Sequence, residues 1–144
     1  MKTKIRIFQP KDQKAVIQLW NDCGLVVPQN DPAKDIRRKL KIQPDLLLVA
    51  VNGKEIVGTV MGGYDGHRGW INYLAVAPAR QRSGVGRLLM AEIEKRLKKA
   101  ECPKINLQVR ETNAGVRRFY AKIGYVQDKV LSYGKRLLRD DMKT

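Results

Sequence analysis

Gln81-Arg82-Ser83-Gly84-Val85-Gly86-Arg87 decides how this chain is read. It follows an apolar run, Ile71-Asn72-Tyr73-Leu74-Ala75-Val76, and a break at Pro78. It opens a helical pattern that reaches about residue 100. A strand, a tight glycine turn and a helix start in that order make an anion site. The first backbone N–H groups of a helix have no partner within it, and the helix dipole adds positive potential there. Gly84 and Gly86 remove side chains that would hold a phosphate at a distance. Arg80, Arg82 and Arg87 add charge. The stretch therefore offers a seat for a pyrophosphate-bearing ligand. It has no Gly-Lys-Ser/Thr, so a nucleoside-triphosphate loop is a poor match. Leu89 stands where a dinucleotide fingerprint needs its third glycine.

The flanking segments alternate between strand and helix patterns. Residues 4–8 read as a short strand with Ile5 and Ile7 on one face. Residues 10–23 carry Ala15, Val16, Leu19, Trp20 and Cys23 at amphipathic-helix spacing. Asp31-Pro32 reads as a cap followed by proline at the first helical position, and that helix would run to about Ile42. Leu46-Leu47-Leu48-Val49-Ala50-Val51 is a continuous apolar run, as in a buried strand. Asn52-Gly53 is a hairpin signal, with residues 56–62 as the returning strand. Gly62-Gly63-Tyr64-Asp65-Gly66-His67-Arg68-Gly69 reads as a glycine-dense connection.

Beyond the turn, Val85, Leu89, Ile93, Leu97 and Ala100 form one apolar stripe. Glu92 with Arg96 and Glu94 with Lys98 are i,i+4 pairs. Residues 104–110 alternate as a strand. Residues 113–123 form a shorter helix with Val116, Phe119, Tyr120 and Ile123 inward, ended by Gly124. Residues 125–128 and 131–137 read as a final strand pair, a hairpin. The pattern predicts one domain over residues 1–144, an α/β chain with a mixed sheet covered by about four helices.

Composition removes several function classes. No run of about 18 apolar residues exists, so no membrane span is expected. The N-terminus has no apolar leader, which makes a cytoplasmic location the default. One histidine excludes a multi-histidine metal site, and Cys23 and Cys102 match no metal spacing. A serine-hydrolase triad fails because His67 has no Gly-x-Ser-x-Gly partner. The net charge of +15 attracts phosphate-bearing ligands and acidic partners. It argues mildly against polycationic acceptors. Few aromatics interleave the basic residues, so a stacking surface for nucleic acid is weakly supported.

Two motifs carry a resemblance. The turn is similar to the Gln/Arg-x-x-Gly-x-Gly/Ala turn of the GNAT superfamily of acetyl-CoA-dependent N-acetyltransferases. Downstream, Asn113-Ala114-Gly115-Val116-Arg117-Arg118-Phe119-Tyr120-Ala121-Lys122-Ile123-Gly124-Tyr125 resembles that family's Asn-x-x-Ala-x-x-x-Tyr-x-x-x-Gly-Phe motif. Val116 replaces the usual alanine and Tyr125 the usual phenylalanine. The element order matches the GNAT acyl-CoA N-acyltransferase fold, a central twisted mixed sheet, over nearly the full chain. Length and the glycine-dense connection look like the YpeA-type acetyltransferases. Residues 107–113 look like the ribosomal-protein alanine acetyltransferases.

The resemblance implies roles. The strand before the turn would splay from its neighbour. Main-chain groups of Leu74, Ala75 and Val76 would then bond the pantetheine amides and the thioester oxygen. Arg82, Ser83, Gly84, Val85, Gly86 and Arg87 would hold the pyrophosphate of acetyl-CoA. Asn113 would fix the pantetheine arm, and Tyr120 would act near the sulfur as general acid. The acceptor would be a primary amine of a small molecule or protein, attacking directly in a ternary complex.

The general base is open. Relatives of the alanine type carry a glutamate where this chain has Gln108, which cannot accept a proton at neutral pH. Asp65, His67 and Glu111 are the candidates for base or acceptor contact, and a water chain is another. No metal is implied, and dimers are common in the family. Two other readings stand beside this one. Charge alone supports a basic RNA- or ribosome-associated binding module, and Gln108 motivates a non-catalytic acyl-CoA sensor.

Overall fold

The structure is a computed structural model that describes residues 2–142. Among the described residues, five strands form one sheet in the order β1-β2-β3-β4-β5. They are β1 (Thr3–Ile7), β2 (Leu47–Asn52), β3 (Glu55–Tyr64), β4 (Gly69–Val76) and β5 (Ile105–Leu107). Neighbours are antiparallel except β4 and β5, which run parallel. Parallel neighbours need a crossover, supplied by α3 (Val85–Lys99). The other helices are α1 (Gln13–Asp22), α2 (Pro32–Ile42) and α4 (Ala114–Lys122).

The apolar run in β2 is continuous because both of its faces are buried. Leu48 and Ala50 join Val57, Val60, Leu89, Ile93 and Leu97 in a core under α3 and α4. Leu47 and Val49 point the other way, to Val16, Leu19, Trp20 and Ile36 of α1 and α2. Ile93 and Leu89 are fully enclosed; cutting either to alanine costs about 2–5 kcal/mol.

α2 starts and ends where its sequence signals stand: Asp31 accepts the Ala33 N–H at 2.9 Å, Pro32 follows, and Ile42 closes it. Gly124 ends α4 with a left-handed φ of 99°. The β2–β3 turn falls one residue later than Asn-Gly, on Gly53 and Lys54, because Asn52 still pairs with Glu55.

Several expectations are corrected. Residues 62–69 are not one loop. Gly62 and Gly63 belong to β3, and only residues 65–68 form the connection. Gly62 is required by packing, since a Cβ there would lie 2.6 Å from Ile93 Cγ1. Ala15, Ala100 and Val116 are exposed rather than inward. Glu94 accepts the Tyr125 hydroxyl at 2.6 Å. β5 is three residues, not the seven of 104–110.

The final strand pair is also absent. Residues 125–137 run without sheet pairing, and Val130, Leu131, Tyr133 and Leu137 are exposed. The segment is held by side chains instead. Lys104 pairs with Asp128 at 2.8 Å, Gln108 donates to Ser132, and Arg136 donates to Asn30 at 2.9 Å. Asp140 then anchors the chain at α2, accepting from Arg38 and from the Asp31 N–H at 2.8 Å. Apolar alternation alone does not make a strand without a partner edge in register.

Candidate active site

The site begins where β4 and β5 part. Their pairing runs from Gly69↔Ile105 to Ile71↔Leu107 and stops there. β4 continues to Val76, and none of residues 72–76 is in register with β5. Residues 72–76 thus leave that side of β4 open.

A bulge begins just beyond the last pair. Thr59 faces Ala75 and Met61 faces Asn72, so Val60 alone opposes both Tyr73 and Leu74. Such a bulge bends its strand and sharpens the twist. Tyr73 carries it with a left-handed φ of 48°, a conformation that costs a side-chain-bearing residue about 1–2 kcal/mol. Three contacts hold Tyr73 there. Thr59 Oγ1 donates to its carbonyl at 2.9 Å, the Trp20 ring stacks on it at 3.8 Å, and its hydroxyl donates to Asp35 at 2.6 Å.

The open edge leads to the glycine turn. Gly84 stands before α3 with φ of 89° and gives no side-chain cap. The first bond into the helix is Leu88 N–H to the Gly84 carbonyl, so the N–H groups of Val85, Gly86 and Arg87 have no intrahelical acceptor. A Cβ on Gly84 would meet nothing within 4 Å; its glycine is set by φ, and its surroundings are open to a ligand. Gly86 is glycine for a different reason. A Cβ there would lie 3.2 Å from Phe119 Cζ and 3.7 Å from Val76 Cγ2. Gly86 is thus the junction of β4, α3 and α4.

Charge at the turn is partly free. Arg80 pairs with Glu55 at 3.4 Å on the surface, a contact worth about 0–1 kcal/mol. Arg82 and Arg87 are exposed and have no carboxylate partner among the described residues. Ser83 is exposed, and its hydroxyl donates to the Arg80 carbonyl. The Val76 carbonyl is occupied too, accepting from Cys23 Sγ at 3.3 Å and Gln81 Nε2 at 3.4 Å. Burial pushes the Cys23 thiol up, which keeps it a donor rather than a nucleophile. Beside the turn, a groove of about 350 Å³ between α3 and α4 is bordered by Arg87, Glu94, Lys122 and Gly124.

α4 supplies two polar groups. Asn113 Oδ1 caps the helix by accepting the Val116 N–H at 3.2 Å, which leaves its side-chain N–H₂ to donate. The Tyr120 ring is enclosed, 8% exposed, edge-on to Phe119 and Tyr125 at 5.2 and 5.5 Å. Its hydroxyl bonds to no other described residue and keeps solvent contact. Burial raises this phenol to about 12, so it holds its proton throughout the neutral range.

The three base candidates are scattered. Asp65 and His67 sit in the β3–β4 connection, at the Gly69 end of β4, away from Val76. The Asp65 carboxylate accepts the His67 and Arg68 N–H groups, each at 2.8 Å. Those bonds, the Arg68 one first, hold it below its usual range. Glu111 is exposed in the turn between β5 and α4. Gln108 donates to Ser132.

Trp20, Thr59, Tyr73 and Phe119 were not marked as site residues by sequence. A threonine inside the apolar stretch 56–61 was the one available signal. The left-handed Tyr73 and the Phe119–Gly86 contact have none.

Residues 13–125 match the Acetyltransferase (GNAT) family. The chain belongs to that family. It is 49% identical over 138 residues to an acetyltransferase, SG1711, of Sodalis glossinidius, covering 95% of this chain and 97% of that one. It is 50% identical over 137 residues to the acetyltransferase ECA0875 of Pectobacterium atrosepticum, with coverage of 95% and 97%. Its fold is similar to that of the PaiA N-acetyltransferase of Thermoplasma acidophilum, solved with coenzyme A (TM-score 0.76, 20% identity, 90% and 93% covered). The chain is therefore an acetyltransferase, and acetyl-CoA is its cosubstrate. The uncapped helix start, the open strand edge and the unpaired arginines form a donor set that fits an anionic thioester cofactor. No His/Cys/Asp/Glu cluster able to hold a metal occurs among the described residues, and no helix there is long and apolar enough to cross a membrane.

Proposed function

We propose that the chain acetylates a primary amine of a small molecule or protein by direct attack within a ternary complex. The observation that carries this reading is the open 72–76 edge beside the uncapped start of α3, with Gly86 packed between Val76 and Phe119 of the helix that carries Tyr120. Acetyl-CoA supplies an acetyl group already activated as a thioester. The N–H groups of Val85, Gly86 and Arg87, with the Arg82 and Arg87 guanidiniums, receive the diphosphate. Main-chain groups of Leu74, Ala75 and Val76 on the open side of β4 hold the pantetheine arm and the thioester oxygen. Preset donors of this kind need no reorganisation as negative charge grows.

Asn113 steadies the arm with its amide N–H₂. Tyr120 gives a proton to the departing sulfur as the N–C bond forms and the C–S bond breaks. The amine's own proton leaves through Glu111 and water to solvent. Glu111 follows β5 by four residues and so stands beyond the point where the strands part. Asp65 is spent on its turn, and His67 shares its distance from Val76. With no covalent acyl-enzyme required, Cys23 and Cys102 remain thiols.

The test is thiol release from acetyl-CoA across a panel of small amines and peptide N-termini. Release with at least one amine, and its loss in Tyr120→Phe, supports the reading. Acetyl-CoA binding with no turnover on the whole panel would replace catalysis by sensing.

A further inference from the structure

We infer that Thr59, braced by Trp20, is a positioning residue for acetyl transfer: it fixes the Tyr73 carbonyl and, through it, the bulge that turns the 72–76 edge away from β5. This rests on the reading above, in which that edge receives the thioester arm.

Thr59 breaks the local rule of its strand. Its neighbours Val57, Gly58 and Val60 are buried, and it is itself fully enclosed. Among the described residues it shares the class of buried polar side chain only with Asp12. A hydroxyl in such a place is costly unless it is paired, and valine would fill the same volume. Thr59 is paired twice. It accepts Trp20 Nε1–H at 2.9 Å and donates to the Tyr73 carbonyl at 2.9 Å.

The two bonds join three elements. Trp20 is on α1, Thr59 on β3 and Tyr73 on β4. Trp20 also stacks on the Tyr73 ring, at 3.8 Å and 14°. The indole thus holds the hydroxyl with its N–H and the aromatic ring with its face. All of this converges on the one residue of β4 with a left-handed backbone. Strained backbone persists only where its surroundings over-determine it, and it concentrates at functional sites. Pairing with β5 ends at Ile71 and the bulge occupies Tyr73 and Leu74. The clamp therefore sits at the start of the open edge. Without the hydroxyl, Tyr73 loses a donor at its carbonyl and Trp20 loses its acceptor. The bulge can then relax toward regular pairing and re-aim the N–H groups that follow it.

The experiment compares Thr59→Val, Thr59→Ser and Trp20→Phe with the unmodified chain. In ligand-free protein, Thr59→Val should speed amide hydrogen exchange at residues 72–76 about tenfold, with β2 unchanged. Its kcat should fall about 10²-fold, the scale of a misplaced reactive group. Acetyl-CoA affinity should stay within about threefold, because the diphosphate seat lies on α3. Thr59→Ser keeps the hydroxyl and should restore both exchange and kcat. If Thr59→Val does not fold, Thr59→Ala removes the same hydroxyl from a smaller side chain, and unchanged exchange and kcat there overturn the inference; Trp20→Phe, which keeps the Thr59–Tyr73 bond, should lower kcat less than either. Unchanged exchange and kcat in Thr59→Val overturn it and leave the acetyltransferase reading standing. An unmodified chain that binds no acetyl-CoA overturns both.

Discussion

Phe119 lies against Gly86 so closely that a methyl group on the glycine would approach the ring edge to 3.2 Å. This contact ties the helix that carries Tyr120 to the helix start that holds the free N–H groups.

Gly86→Ala tests that tie. Alanine favours a helix over glycine by about 1 kcal/mol, and the crowding against Phe119 works in the opposite direction. Net stability should change by less than about 1 kcal/mol, while turnover falls as α4 shifts. Phe119→Leu should relieve the crowding, so the two substitutions should couple by about 0.5–3 kcal/mol in a double-mutant cycle of kcat/KM. Strict additivity would mean that the contact does not position Tyr120.

Gly84→Glu separates stability from binding. A carboxylate before an uncapped helix start gains about 0.3–1 kcal/mol from the dipole, offsetting strain at the left-handed φ. Thermal unfolding should therefore change little. Acetyl-CoA affinity, measured by calorimetry, should drop more than about tenfold, the equivalent of about 1.4 kcal/mol of repulsion at the anion seat. Retained affinity would move the diphosphate elsewhere.

Tyr120→Phe should lower kcat about 10²-fold or more, within the range of general-acid contributions, with little change in acetyl-CoA affinity. The neutral phenol is the acid form, and burial raises it to about 12. That form survives as pH rises through the alkaline range, so Tyr120 should impose no fall in kcat below about pH 10. A basic limb near pH 9 that vanishes in the phenylalanine variant would contradict the assignment.

Asp12 governs acid stability. It is 5% exposed, accepts Arg6 at 2.7 and 3.0 Å, and accepts the Gln9 N–H at 2.8 Å. The Arg6 bonds, more than the Gln9 bond, hold its carboxyl below the usual range. Its unfolded value, about 3.9, is the higher one, so its stabilisation is full above that pH and is lost as pH falls through the folded value. Asp12→Ala should cost about 1.5–3 kcal/mol in urea unfolding at pH 7. The gap should narrow below about pH 4. A gap independent of pH would assign the loss to packing.

The sequence signals that proved legible were local. Asp31-Pro32 marked the start of α2, and Gly124 marked the end of α4, because caps and left-handed glycines depend on neighbours in the chain. The glycine turn was legible for the same reason. What escaped was long-range. The Trp20–Thr59 bond spans 39 residues, and nothing in the local pattern distinguishes Tyr73 as the bulge residue. Residues 131–137 alternate like a strand, yet sheet formation depends on a partner edge, and β5 pairs over only three residues. Gly62 and Gly63 looked like loop residues. They are strand residues because Ile93 crosses directly over Gly62.

The central claim is that the backbone N–H groups opening α3 hold the diphosphate of acetyl-CoA. Titration of coenzyme A into ¹⁵N-labelled protein, followed by amide NMR, tests it most directly. The account predicts that the amides of Val85, Gly86 and Arg87 shift together with those of residues 74–76, and that salt weakens the effect. Shifts confined to another surface, such as the exposed hollow along Gln127 to Leu131, with Val85, Gly86 and Arg87 unmoved, would contradict it.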